Sequence, residues 1–535
     1  MLSKLINNQK GFVLNLGLMF MAILGVLGST AAVVTTTDLK IGSNHRESVQ
    51  TFYAAESGLE FGLVKMRQAF RSLNPDMDID SPAIEGITFD ELSITQVGSP
   101  STITLMGDYA GLQAFVQDYE IQAAARLEGT NTVSRLTMTA KDELIPIFQF
   151  GIFYQADLEI LPGPNMIFTG GRIHSNSNMY LNGNNTLNID SEITCAGDII
   201  RGRKDRTEAI GTVNIMDADG VYQTMAVGFD SNMATWKEDA EALWGGTVQS
   251  QDHGIFELVL PTVGENPRNL LGTDAGSMYT QSGLRIINGV AYDRDGNTVD
   301  LTDGGTKPTP ISNKTFYDQR EKKNITVIEV DMAQLQSSSN AMDALDNPPD
   351  GCDAGIMFVS STDGSKSVRL KNGSVLPADG LTVASNNPVY IQGNYNSVTD
   401  SPAAVICDAI NILSNNWNDA KSSTSCLNDR TASATTTVNA AIISGNKDTQ
   451  GSQYSGGVEN FPRFLENWTN KTFTYKGSLI CLWQSQQATG NWVYGSPVYT
   501  APNRNWQYGI DASNLPPGTP RVRNIEKYGW KQEMD

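Results

Sequence analysis

Three histidines and five cysteines are all that 535 residues offer as soft metal ligands or cross-links, and no two cysteines form a Cys-x-x-Cys pair. That scarcity argues against a histidine-rich metal centre, a zinc ribbon and a dense disulfide framework. Basic charge is also short: 38 Lys+Arg face 58 Asp+Glu, a formal net charge of −20. Nucleic-acid and anionic-lipid surfaces depend on clustered Lys and Arg, so no nucleic-acid partner is expected. Charged residues of both signs reach only 18%. What is plentiful is Gly, 49 in number, with much Asn, Ser and Thr. That texture points to short strands and many turns rather than helical bundles. At roughly 100–200 residues per domain, the length allows two to four domains.

One long apolar run breaks the pattern. Lys4 and Lys10 precede Gly11, and Phe12 to Val34 carries no formal charge. At 1.5 Å per residue such a helix just spans a hydrocarbon core of about 30 Å. The run is longer than the apolar region of a cleaved secretory signal, so an uncleaved anchor with its lysines cytoplasmic is one reading. Beyond it, Val49, Phe52, Glu56, Leu59, Leu63, Met66 and Phe70 recur at alternating spacings of three and four, one face of an amphipathic helix. Asn74-Pro75 is expected to end it.

Lys10-Gly11-Phe12 placed directly before an apolar helix resembles the class III leader of type IV pilins and pseudopilins. The segment Ala54-Ala55-Glu56-Ser57-Gly58-Leu59-Glu60 is similar to the element that follows the membrane span in PilX N-terminal domains. The resemblance covers about residues 5–70. It implies cleavage after Gly11 by a prepilin peptidase and methylation of Phe12. It also implies a stay in the inner membrane as a single-pass protein before assembly with other pilins, the bulk being exoplasmic and later part of the pilus or cell surface. Major pilins carry a Glu at the fifth mature position; here that position is Leu16, as in minor pilins and tip pseudopilins. Leu16, Phe52, Glu56 and Leu59 are the subunit-packing candidates. Glu56 is either a carboxylate reaching water from the edge of the stripe or a contact to a neighbouring subunit's basic group. Loss of Lys4 and Lys10 with the leader takes the formal charge from −20 to −22, all on the exported part.

The remainder reads as mainly β. Within 76–150, Ile87–Phe89, Ile103–Leu105, Tyr119–Ala123 and Leu136–Thr139 are short strands, and the resemblance makes them a pilin-like sheet on the helix. From Asp157, strand triplets alternate with Pro-Gly, Gly-Gly, Ser-Asn and Asn-Gly turns, and the texture returns at 355–444. Strands this short, recurring this often, suit a solenoid. We read 151–204 and 351–455 as two parts of one right-handed β-helix, with a β-sandwich as the alternative. Residues 205–350 are a mixed insertion holding helices near Met233–Gly245 and Met332–Ser337 and a strand at Ile325–Val330. Residues 456–535 form a Trp-rich region expected to wrap irregularly over the solenoid. Segments at 380–396, 402–419 and 456–468 look like those of large PilX-domain surface proteins.

Candidate chemistry is sparse. Asp293, Asp295, Asn297 and Asp300 resemble a calcium loop, but the Gly comes too early, at the fourth position, and the twelfth position is Gly304, so a hairpin with an Asp-Gly turn competes. His174 and His253 stand without an evident base or nucleophile. Arg320-Glu321 reads as a solvated or interdomain ion pair. Carboxylates sit mostly beside Gly or Asn at turns, so no enzyme and no cofactor is expected. A polysaccharide-active β-helix is the least favoured reading, and a membrane-anchored surface β-helix binding carbohydrate or protein outside any pilus is the runner-up. In an oxidising compartment Cys407 and Cys426, flanking a loop rich in Asn and Ser, form the best candidate disulfide.

Overall fold

The computed structural model describes residues 9–71, 77–163, 166–206, 208–260 and 266–533. One helix, α1 (Gln9–Ala69), runs the length of the apolar span and the amphipathic segment. The expected stop at Asn74-Pro75 lies outside the described residues. The C-terminal half of α1 packs on a four-stranded antiparallel sheet. Three of its strands follow in sequence: β1 (Ile87–Thr104), β2 (Gln113–Leu127) and β3 (Val133–Pro146). They are longer than the short strands read from the sequence. The fourth is Arg521–Glu533, paired with β3 from Pro146↔Arg521 to Arg135↔Glu533. The chain end therefore closes the N-terminal sheet, and everything from Ile147 to Pro520 is inserted between its third and fourth strands.

That insertion consists mainly of parallel ladders. Phe150–Tyr154, Arg172–Ser175, Ile193–Cys195 and Val248–Gln249 pair in that order. Leu158–Ile160, Met179–Leu181 and Ile199–Arg201 form a second ladder, and Met166–Phe168, Thr186–Ile189 and Thr212–Met216 a third. The chain visits the three in rotation. A similar rotation recurs further on, and the two stretches meet where Leu479–Gln484 pairs with Phe150–Tyr154. One sheet of eleven strands results.

Register explains why it holds. Leu284, Met357, Val383, Val405, Ile442, Leu479, Ile152, Ile173, Ile193 and Val248 are successive partners across ten of the eleven strands, all fully buried. Their neighbours on the opposite face, Phe358, Ala384, Ile406, Ile443, Ile480 and Phe153, are covered by Leu258, Leu260, Leu270 and Leu271 together with Val116, Ile145 and Val522 of the helix-bearing sheet. Strands buried on both faces read as continuous apolar runs, as these do. The inserted body and the helix-bearing sheet thus share a core.

Several expectations need correction. Residues 205–350 are not merely an insertion, because Thr212–Met216, Val248–Gln249, Leu284–Ile287 and Lys323–Asp331 all add parallel rungs. The Trp-rich region is not an irregular wrap: Thr472–Gly477, Leu479–Gln484 and Asn503–Tyr508 are rungs, and Arg521–Glu533 leaves the body altogether. Cys407 and Cys426 are both free; Cys407 points into the core from strand Ala403–Cys407 while Cys426 is exposed, so burial keeps them apart.

Several buried carboxyls set a pH dependence, Asp142, raised to about 6 by burial, and Glu143, also raised, among them. Glu466 accepts from the Ser414 amide (2.6 Å) and hydroxyl (2.7 Å), and burial pushes it up to about 7. Burial likewise raises Glu459 to about 7. Both bind a proton in the folded chain at a pH where the unfolded chain has released it, so their contribution grows as pH falls from above 7 toward 4.5. His174 works in the other direction: burial lowers it to about 4, and its contribution fades as pH falls from 6.5. The raised carboxyls outnumber the lowered histidines, His174 and His253, so the thermal midpoint is expected to be higher at pH 5.5 than at pH 8. Scanning calorimetry at constant ionic strength checks it, and an equal or lower midpoint at pH 5.5 contradicts the assignment.

Candidate assembly surface

The N-terminal half of α1 packs against nothing among the described residues. Phe12, Leu14, Leu16, Met19, Phe20 and Leu24 are all exposed, on every side of the helix. A helix apolar all round is stable only when covered, by lipid or by other protein. Four of its hydroxyls are satisfied within the helix: Ser29 and Thr30 donate to Val26 O at 2.9 and 2.8 Å, and Thr36 and Thr37 donate to Ala32 O (2.7 Å) and Val33 O (2.8 Å). Those bonds suit a bilayer-spanning helix, while Asn15 and Thr35 have no such bond among the described residues. It is the one candidate span among the described residues, by length and composition.

The other half is seated on the sheet. Ala55, Leu59, Leu63, Met66 and Phe70 are buried against Ile121, Ala123, Leu136 and Met138. Gly58 lets the helix approach: a Cβ there would stand 2.5 Å from Phe89 Cε1, and one at Gly62 2.7 Å from Ile121 Cγ2. Thr51 Oγ1 meets Ser134 Oγ at 2.8 Å in the interior. Two arginines bind the helix end to the last strand. Arg67 donates to Ile525 O (3.1 Å), and Arg523 donates to Phe70 O (2.9 Å) while its Nε lies 2.7 Å from Asp142 Oδ1. Lys527 pairs with Glu60 at the surface.

The sequence candidates separate on this frame. Gly11 and Phe12 begin the exposed stretch, and the leader residues 1–8 lie outside the described residues. Leu16 is exposed. Phe52 is half-buried with its ring 5.5 Å from Trp530, and Leu59 is fully buried in its own subunit, so Leu59 packs against the sheet and leaves no surface for a neighbour. Glu56 is half-buried and forms no hydrogen bond or ion pair among the described residues. Asp293 accepts from the amides of Asp295 (2.9 Å) and Asn297 (2.8 Å) inside a hairpin turn, while Asp300 accepts from Thr302 and Gly304 in the next turn. No group of three or more His, Cys, Asp or Glu fit for a metal occurs among the described residues.

His174 stacks on Phe153 (5.1 Å between centroids) and bonds Thr194 Oγ1 and Asn176 Oδ1 at 2.9 and 2.8 Å. His174 and the Thr194 hydroxyl beside it are both buried, which closes the pair to a substrate. His253 takes part in capping a short turn at Ser250. Arg320 and Glu321 do not pair with one another as expected. Glu321 pairs with Arg463 in the interior, and Arg320 donates to Gly490 O at 3.1 Å. Sequence reasoning missed Arg523 and its strand. The only cue was the spacing of Val522 and Ile525 in an otherwise charged segment.

The PilX N-terminal family matches residues 10–60, which are the exposed half of α1 and the start of its seated half. No curated protein sequence matches the chain. Among solved structures, the competence-associated pilin ComZ from Thermus thermophilus aligns at 12% identity over 91% of this chain and 98% of its own, with a TM-score of 0.27. That score is too low to argue from. Residues 10–60 thus resemble PilX N-terminal domains, on a helix free at one end and seated on an antiparallel sheet at the other.

Proposed function

We propose that the chain is a minor pilin of the PilX class, cut after Gly11 and methylated on Phe12, that joins other pilins through the exposed half of α1. Before assembly that half crosses the inner membrane, and the acidic body lies outside. The single observation that carries this reading is the family match falling on a helix whose apolar N-terminal half has no partner among the described residues. Leu16 in place of a carboxylate supports a minor rather than a major subunit, because it lacks the acid that would meet a neighbour's amine. The pilin-like module comprises α1, β1–β3 and Arg521–Glu533. The inserted body acts in surface interaction, without catalysis. Its ladders, visited in rotation and paired in parallel, support a right-handed β-helix over an antiparallel sandwich. Mass spectrometry of the membrane-extracted chain tests the processing step. A species starting at N-methylated Phe12 is expected; an intact Met1 terminus alone overturns it.

A further inference from the structure

A cleft of about 840 Å³ opens on the side of the body where the loop before Arg463–Phe464 meets the loop before Asn503–Tyr508. Its volume falls within the range of small-molecule sites. One wall is aromatic. Tyr494 stacks on Trp492 with centroids 6.5 Å apart and planes at 27°, and Tyr454 meets Trp492 edge-on at 5.3 Å. The wall is held rigid from behind: Trp492 Nε1 donates to Tyr499 Oη (2.8 Å), which donates to Asn460 Oδ1 (2.5 Å). Gly456, at φ +101°, lets the backbone lie against Trp492, since a Cβ there would stand 2.6 Å from Trp492 Cδ1. Tyr494 is 57% exposed, so a flat ring face remains free.

The opposite side is polar and balanced in charge. Arg203 is held by Asp205 at 2.6 and 2.8 Å, and Arg206 lies 3.4 Å from Glu208. Within this lining two buried polar atoms have no hydrogen-bond partner, Tyr454 Oη and Glu459 Oε2, although the two residues are only 9% and 2% exposed. An unpaired buried polar atom is costly, so a ligand hydroxyl that pairs it is favoured. A pyranose ring offers both halves of this complement: an apolar face of axial C–H bonds for an aromatic ring, and hydroxyls for carboxyl and phenol groups. Arg203 and Arg206 are paired with acids, and Arg504 donates Nε and Nη2 to Glu459 O (3.2 and 3.0 Å); three arginines facing Asp205, Glu208 and Glu459 leave no excess of positive charge to select an acidic sugar.

We propose that this cleft binds a short neutral oligosaccharide, one ring stacked on Tyr494 and its hydroxyls on Glu459 and Tyr454. The inference does not depend on pilus assembly and concerns the body alone. Saturation-transfer NMR on the full chain in a non-glycosidic detergent, with cellohexaose, maltohexaose, chitohexaose and the acidic hexamer of galacturonate as probes, tests it. Transfer to at least one neutral hexamer is expected, with affinity reduced tenfold or more by Tyr494→Ala and kept by Tyr494→Phe. Tyr494 is exposed, so its loss leaves the fold intact. Transfer to no neutral hexamer, transfer to the galacturonate probe alone, or an unchanged affinity in Tyr494→Ala overturns the proposal.

Discussion

Arg523→Ala is expected to destabilise the helix-bearing sheet by about 3–5 kcal/mol, the usual cost of leaving one member of a buried ion pair alone. Arg523 is placed on the last strand with its side chain 12% exposed, and Asp142 on β3 is 7% exposed. Removing the guanidinium leaves the carboxylate buried without a counter-charge and removes the donor to Phe70 O at the helix end. It also uncovers the Phe70 ring, over which the guanidinium lies at 4.5 Å. Hydrogen exchange at the amides of Ile121–Ala125 is the readout, because these residues face α1 across the shared core. Protection there should fall while that of Ile442–Ser444 in the body falls less. The pair is separable from the packing: Asp142→Asn combined with Arg523→Ala should recover part of the loss, since no charge is then stranded. A single variant with unchanged protection would show that the last strand docks without this contact.

The second large effect is expected at the joint between the two ladder stretches. Leu479 partners Ile442 on one side and Ile152 on the other, and all three are fully buried. Leu479→Ala should cost about 2–5 kcal/mol, the range for buried Leu truncations. Its consequence is larger than its volume, because every contact between the stretches in the eleven-stranded sheet passes through this strand pair. Within that sheet each strand pairs only with its two neighbours, so weakening the one pair that joins the two stretches divides the cooperative unit there. Denaturant unfolding should therefore split into two transitions in Leu479→Ala where the parent shows one for the body. The same substitution at Val383, inside one stretch, should shift the midpoint without splitting it. A single unshifted transition in Leu479→Ala would place the coupling elsewhere, in the outer core formed with Leu258, Leu270 and Val522.

The neighbour relations that fix these two effects were legible to different degrees. The short strands from Leu158 to Cys195 and from Ile356 to Leu413 were visible as apolar triplets between turn pairs, since local turn chemistry and strand length are written in adjacent residues. Met332–Ser337 was likewise visible as a helix, with Asp331 capping it through the Gln334 amide. The rungs at Thr212–Met216 and Val248–Gln249 were not, because long excursions separate them from the strands they join. The cysteine pairing failed for a related reason: spacing in sequence says nothing about whether one side chain points inward and the other outward.

By itself the sequence determined the long N-terminal helix, its uncharged span, the glycine-phenylalanine junction and the strand-and-turn texture of the body. Each depends on periodicity or composition within a few turns of chain. Only the tertiary structure decided that Arg521–Glu533 returns to β3, that one aliphatic ladder runs from Leu284 to Val248, and that Tyr454, Glu459 and Trp492 face one cleft. Those are pairings between distant segments. A strand carries its own alternation but not the identity of its partner, which is set by which apolar faces remain uncovered once the rest of the chain has folded.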